Sequence, residues 1–329
     1  MAIPYCLPDY LAVPLEAAAY FHAIGDAGLS GRDIAYAVSA LWLAANTDCL
    51  QETGDGTMYR IPDNGLRHAM GLTRRESIDT DDDRHKRLAR TTFKTPTKGD
   101  VRAPVSPLRH NLDDKRTWFI PRDLVDAWTV RDGEPVVYLP LMLLQQAKSR
   151  FSVEAYLHAM AAANGLVTNG CKIIKQQDDR CTIQADDGGF HRFMATGRKH
   201  DLHRVRTGIV AEIDKDLPAW ADTAIEVFVR TSASERFPRG RFMSARIHVI
   251  HPPLAELEAR AAGSATWVAP IRTSVPGWEA KPPRPRSSRA PARRPLPAPI
   301  SDVVYIPEPE IYVPAPSTEK LNSDEDVAF

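Results

Sequence analysis

Three short segments of this sequence, 81–94, 198–206 and 236–241, are rich in arginine and lysine, and these side chains could do chemistry. Arginine can form two hydrogen bonds to the edge of a guanine base, and both arginine and lysine bind phosphate groups. The clustering therefore predicts noncovalent recognition of DNA. The candidate DNA-binding residues are Arg74, Arg84, Lys86, Arg87, Arg90, Lys94, Arg198, Lys199, His203, Arg204, Arg206, Arg236, Arg239 and Arg241.

The three basic segments differ in how clearly their charged residues separate from apolar ones. In the second segment, Leu202 and Val205, continued by Ile209, supply an apolar face for packing, so the basic side chains occupy the opposite face. In the first segment, an acidic run just upstream leaves open the alternative of a solvated, self-paired charged face. The third segment predicts an arginine-rich hairpin tip that suits backbone or minor-groove contact, with an ordinary surface turn as the alternative.

The histidines offer no complete catalytic or metal-binding set. His248 and His251 are three residues apart in a predicted strand, which sends their side chains to opposite faces and argues against a shared metal. His191, His200 and His203 lack the cysteine or carboxylate spacing that would complete a metal site. The sequence also has no phosphate-binding G-x-x-x-x-G-K-[ST] loop and no G-x-S-x-G nucleophile motif. It therefore predicts a protein that is not an enzyme and that needs no metal or other cofactor.

Composition limits the class of protein further. Lys plus Arg equals Asp plus Glu at 42 each, so a uniformly basic coat is excluded and any DNA surface must come from local segregation of charge. No run of 18 apolar residues predicts a membrane span, and the first residues lack the pattern of a secretory signal, so no membrane partner is expected. Four cysteines without a C-x-x-C pair fit a reduced compartment, which predicts a cytoplasmic location.

Two successive units with the same order of elements precede the proline-rich end of the chain. The first unit is predicted to contain helices over 31–46 and 81–94, strands over 57–61 and 117–120, and a short helix opened by Asp63. The second is predicted to contain a helix that ends near Gly165, a strand over 181–183, a short helix opened by Asp186 and Asp187, a basic helix over 198–212, and a hairpin of strands 225–230 and 243–250.

The residue types around the short helices repeat as well. Laying 63–75 on 187–199 pairs Asp63 with Asp187 and Met70 with Met194. Helix, strand, helix pair and hairpin is the order of a winged helix, a helix-turn-helix variant whose second helix enters the major groove. The predicted fold class is therefore α+β, with two tandem winged-helix domains.

The domain boundaries follow from these units and from the distribution of proline. We place the first winged-helix domain at 1–133, the second at 134–255, and a linker with a disordered tail at 256–329. Proline removes backbone donors, and no helical or strand period is sustained beyond residue 270. The tail carries a basic block over 281–294 and then an acidic end, which is typical of a solvated interaction tail.

The run Ser149, Arg150, Phe151, Ser152, followed by Tyr156 and Leu157, resembles the start of the second winged helix in iteron-type plasmid replication initiators. In architecture the resemblance covers roughly residues 20–251. It implies a protein that binds direct repeats of double-stranded DNA at a plasmid origin and helps to open the adjacent duplex. It also implies recruitment of host replication proteins such as a helicase or initiator, a DNA-binding monomer that exchanges with a homodimer, and no catalytic activity.

Two other functions stay open at this level. Duplicated winged helices would also suit a transcriptional regulator. A single palindromic binding site would indicate the regulator, and tandem repeats would indicate the initiator. A rolling-circle replication nuclease would need a catalytic tyrosine near a metal-binding pair of histidines, and that set cannot be assembled from this sequence.

Overall fold

The computed structural model describes residues 7–24, 28–46, 51–52, 58–62, 66–67, 69–71, 78–95, 99–102, 117–194, 208–234 and 237–264, and its fold is mixed α+β with small sheets. All of these residues belong to one compact unit, 1–280, which includes both predicted domains. The remaining unit, 281–329, falls in the predicted tail and lies outside the described residues.

The described elements include nine α-helices and twelve strands. The helices are α1 (Leu15–Tyr20), α2 (Gly31–Asn46), α3 (Ile78–Leu88), α4 (Arg122–Trp128), α5 (Leu141–Gln146), α6 (Arg150–Ala163), α7 (Asp187–Phe193), α8 (Val210–Asp214) and α9 (Leu254–Ser264). The strands are β1 (Tyr10–Pro14), β2 (Ala23–Ile24), β3 (Gln51–Glu52), β4 (Met58–Pro62), β5 (Thr92–Thr95), β6 (Gly99–Arg102), β7 (Thr117–Pro121), β8 (Val136–Pro140), β9 (Cys171–Gln177), β10 (Arg180–Ala185), β11 (Ala224–Ser234) and β12 (Phe237–Ile250).

The strands of the described residues form four antiparallel sheets. Their orders are β1-β8, β2-β5-β6, β3-β4-β7 and β11-β12-β10-β9. The last of these is the largest, and its inner face carries the buried side chains of Ile183, Ile247 and Val249. The predicted strands over 57–61, 117–120, 181–183, 225–230 and 243–250 are confirmed, each within a residue or two or as part of a longer strand.

The first half of the described chain (7–133) and the second half (134–264) meet at two equivalent segments, each a strand that ends at a proline and is followed by a helix. Strand β1 ends at Pro14 before α1, and β8 ends at Pro140 before α5. The two strands pair antiparallel, and each helix start is held by the other half: the Leu15 N–H donates to the Pro135 carbonyl at 2.9 Å, and the Leu141 N–H donates to the Asp9 carbonyl at 2.7 Å. The halves therefore exchange equivalent hydrogen bonds at the two ends of this ladder.

The two long helices confirm the sequence prediction and form the core. Helix α2 has the predicted bounds, and α6 ends before Gly165, whose φ of +86° suits the residue that follows a helix. Trp42 of α2 donates its indole N–H to the Ala12 carbonyl at 2.8 Å, and the Tyr156 hydroxyl of α6 donates to the Tyr138 carbonyl at 2.9 Å. Helix α2 is thus hydrogen-bonded to β1, and helix α6 is hydrogen-bonded to β8.

Two predicted boundaries are wrong. The helix predicted over 81–94 ends at Leu88, and Lys94 lies on strand β5, because Phe93 pairs with Ala23 of β2 and packs its ring 4.9 Å from that of Phe21. The ladder of the hairpin extends beyond the predicted strand ends, since Ser234 stands opposite Phe237. The hairpin ladder continues past the apolar alternation because backbone hydrogen bonds need no apolar side chains.

Candidate nucleic-acid interface

Helix α3 carries the first basic segment, and its inner face is anchored on a buried carboxylate. Asp33 of α2 is fully buried, and Arg87 grips it with two hydrogen bonds of 2.9 Å from Nε and Nη2. The Nε of buried Arg84 donates to Asp33 Oδ1 at 3.2 Å, and its guanidinium lies 4.1 Å from the centre of the Tyr36 ring. Two of the candidate DNA-binding arginines therefore fix α3 to the core helix.

The same carboxylate also caps its own helix. Burial alone would raise the pKa of Asp33, but hydrogen bonds from Arg87 and Ser30 and the positive charge of Arg87 hold that pKa below its ordinary value. The Ser30 N–H donates to Asp33 Oδ2 at 2.8 Å, while the Asp33 N–H is 3.2 Å from Ser30 Oγ, a reciprocal capping arrangement. Asp33 is therefore charged at neutral pH and joins the start of α2 to α3.

The outer face of this region presents basic side chains to solvent. Lys86 is exposed on α3 and lies 3.4 Å from the equally exposed Asp83, so that pair is a weak surface ion pair. Arg90 is exposed in the turn after α3, and Lys94 is exposed on β5. The first basic segment is thus divided into an inward pair of arginines and three outward basic residues.

In the second half, helix α7 is positioned by a tight contact between two glycines. Asp186 caps α7 by accepting a 2.6 Å hydrogen bond from the Gly189 N–H, as its sequence position predicted. A Cβ at Gly189 would lie 2.1 Å from the Gly170 carbonyl oxygen, so α7 approaches this turn at backbone distance. Phe190 and Phe193 then bury their rings in the core. The start of α7 is therefore held against the turn at Gly170.

The remaining candidate residues fall where less of the chain is described. Residues Arg74, Arg198, Lys199, His203, Arg204, Arg206 and Arg236 lie outside the described residues. Arg239 and Arg241 lie on strand β12 and not at the hairpin tip, because the ladder places Arg241 opposite Ser232. Their role as DNA contacts stays a prediction, and the structure places both residues on a strand and not in a loop.

Ser149 and Ser152, at the start of α6, bind acidic residues of α8 and of the segment that follows it. Asp216 is buried and accepts hydrogen bonds from the N–H groups of Lys148 and Ser149 and, at 2.7 Å, from the Ser152 hydroxyl. Ser149 Oγ also lies 3.2 Å from Glu212 Oε2. This network holds Glu212 and Asp216, which follow the second basic segment in the sequence, against the start of α6.

A buried histidine joins α7 to the first half of the chain. His158 of α6 places Nδ1 2.8 Å from the Phe193 carbonyl oxygen and Nε2 2.7 Å from the Phe21 carbonyl oxygen. One turn earlier, Glu154 contacts His22 Nδ1 and accepts from the Ala23 N–H, both at 3.2 Å. Burial lowers the pKa of His158. Glu154 and His158 are not among the residues predicted from the sequence, although a glutamate and a histidine four residues apart in a largely apolar helix could have indicated a buried polar pair.

Comparison with known proteins gives no independent assignment. No protein-family model matches the chain, and no curated protein matches it. Within the described part of the chain, no helix is long and apolar enough to cross a membrane.

Proposed function

We propose that this chain is a sequence-specific double-stranded-DNA-binding protein that initiates plasmid replication, binds direct repeats at the origin and helps to open the adjacent duplex. The observation that carries the proposal is the division of helix α3. Its inner face is anchored on buried Asp33, while Lys86, with Arg90 just after the helix, faces solvent. A helix whose inner face is so held can offer its outer face to a DNA groove in one orientation.

The order of elements in the second half supports the same function. Strand β10 leads into α7, the second basic segment follows, and the hairpin of β11 and β12 closes the sheet. In a helix-turn-helix the element after the first short helix is the one that reads DNA. Arg204 and Arg206 fall in this place, between α7 and α8. We assign the protein no catalytic role and no cofactor, with origin DNA and host helicase or initiator proteins as its partners.

Footprinting of the purified full chain on DNA that flanks its gene tests the proposal. We expect protection of several short direct repeats spaced by about one helical turn, 10–10.5 bp, because two DNA-reading elements within one compact unit favour one face of the duplex. Reactivity of an adjacent A·T-rich stretch to a single-strand-specific reagent should rise on binding. A single protected palindrome would instead indicate a transcriptional regulator, and absence of any protected site would contradict DNA recognition.

Arginines in the second and third basic segments should differ in how they affect binding. We expect Arg204→Ala or Arg206→Ala to cost about 1–3 kcal/mol on the specific duplex and to relax preference at one base position. Arg239→Ala should weaken all duplexes alike and reduce the salt slope by about one, as expected for a lost phosphate contact. The measurement is fluorescence anisotropy with specific and scrambled duplexes over a salt series.

A matched control for this series is Arg131→Ala. Arg131 is exposed in the turn before β8 and belongs to none of the basic segments, so its removal should leave affinity and salt slope unchanged. Circular dichroism checks that each variant is folded. Wild-type binding by both folded variants of the second segment would show that this segment does not read DNA.

A further inference from the structure

Strand β11 is an unprotected edge of the largest sheet. It is 11 residues long, and in the described part of the chain only β12 pairs with it. Edge strands are usually kept from pairing with other chains by charged side chains, above all lysine, by proline, by short length or by a bulge. β11 contains neither lysine nor proline, its charged residues Glu226 and Arg230 have opposite signs, and the irregularities of register in its described ladder lie beyond Arg230. The regular part, 224–230, thus offers backbone donors and acceptors to a further strand.

The side chains of this edge alternate in a self-complementary pattern. Glu226, Phe228 and Arg230 are all exposed and share the outer face of the sheet, where the Phe228 ring is 54 % exposed. On the inner face, Val227 and Val229 are only half-buried, whereas Ile247 and Val249 of the neighbouring strand are fully buried. Both faces of β11 are therefore incompletely covered along the same stretch.

We propose that β11 is a dimerisation edge that pairs antiparallel with β11 of a second copy, with Phe228 opposite Phe228. In this register Glu226 of each copy stands opposite Arg230 of the other, so two identical ion pairs flank an aromatic pair. Val227 stands opposite Val229 on the inner face, where each copy completes the cover of the other. The arrangement is two-fold and isologous, the form that closed dimers use, and it joins two four-stranded sheets into one.

The charge pattern selects this register. Opposite charges directly across an antiparallel ladder stabilise the pair, and like charges destabilise it. A shift of the ladder by two residues would place Phe228 opposite a charged residue and separate both ion pairs. Glu226 also lies 3.5 Å from His248 Nδ1 of its own chain, while Arg230 has no ion-pair partner among the residues that the structure describes. Arg230 therefore gains the most from a second copy.

Sedimentation of the full chain without DNA tests the proposal independently of any DNA-binding function. We expect a wild-type dimer whose dissociation constant rises at least about tenfold in Arg230→Glu and in Glu226→Arg, because each change places like charges opposite one another twice. An equimolar mixture of the two variants should recover the dimer, since the heterodimer has opposite charges at both positions. Arg180→Glu, an exposed change on β10 away from the edge, is the matched control and should sediment as wild type.

A disulfide trap tests the register itself. In Phe228→Cys the two new thiols face each other across the two-fold axis, and diamide, which takes up two electrons and two protons, should join them into a covalent dimer. Glu226→Cys places its thiol opposite Arg230 and should not be trapped. Both substituted positions are exposed, so the fold is retained, and the native cysteines are controlled by the wild-type chain. A wild-type monomer at all concentrations, a dimer insensitive to Arg230→Glu, or equal trapping of both cysteine variants would overturn the proposal.

Discussion

Replacement of Asp33 by asparagine will lower the free energy of unfolding by about 3–5 kcal/mol, since it removes one partner of a buried ion pair and leaves the other charged. Arg84 is 3 % exposed and would lose the carboxylate that balances its charge, and Arg87 would lose a two-point grip. The reciprocal cap with Ser30 would also be weakened. Urea unfolding followed by circular dichroism gives the change directly.

Asp83→Asn is the matched control for this variant. Asp83 lies on α3 itself, but it is exposed and its contact with Lys86 is a surface pair, so its loss should change stability by no more than about 0.5 kcal/mol. Equal effects of the two substitutions would contradict the anchoring role of Asp33. Under the proposed function, a destabilised but folded Asp33→Asn variant should also bind DNA less tightly, because the outward basic residues of α3 would lose their fixed orientation.

The contribution of Asp33 should depend on pH in a defined direction. Its pKa is lower in the folded protein than in the unfolded chain, so the folded state binds fewer protons in the acid range. The stabilisation is therefore complete above the unfolded value, about 3.9, and is lost as pH falls through the lower folded value. We expect the stability difference between wild type and Asp33→Asn to be constant near neutral pH and to shrink below about pH 4.

Gly189→Ala should also be strongly destabilising, by about 3 kcal/mol or more, since overpacking against backbone cannot be relieved by a change of rotamer. The new Cβ would lie 2.1 Å from the Gly170 carbonyl oxygen, and that oxygen also accepts the Asp186 N–H at 2.9 Å. To relieve the overlap, α7 would have to move away from the turn and disturb its own cap. Thermal unfolding measures the effect.

The neighbouring residue supplies a control that differs by one position. A Cβ at Gly188 would come no closer than 3.5 Å to any atom, and that atom is the end of the flexible Arg192 side chain. Gly188→Ala should therefore be neutral or stabilise the protein by about 0.4–1 kcal/mol through the unfolded state. Stability of Gly189→Ala equal to that of Gly188→Ala would show that α7 does not depend on this close approach.

At the candidate site, the direction of the charged side chains of α3 could not be predicted from the sequence. Arg84 and Arg87 have the residue type of a DNA contact, and the sequence placed them correctly on a helix. Their side chains turn inward because they bind the carboxylate of Asp33. This carboxylate lies more than 50 residues earlier in the chain. A segment read by itself cannot show which of its charged residues has a distant partner.

The sequence by itself determined the elements whose signals are local. Helices α2 and α6, the cap at Asp186 and the two hairpin strands follow from apolar spacing and capping residues within a few positions. Only the tertiary structure decided that β1 pairs with β8, that α3 ends at Leu88, and that Asp33 and Asp216 are buried acceptors. These features depend on partners far away in the chain. A carboxylate, a strand edge or a helix end that leaves water must form hydrogen bonds with protein groups, and the fold decides which groups those are.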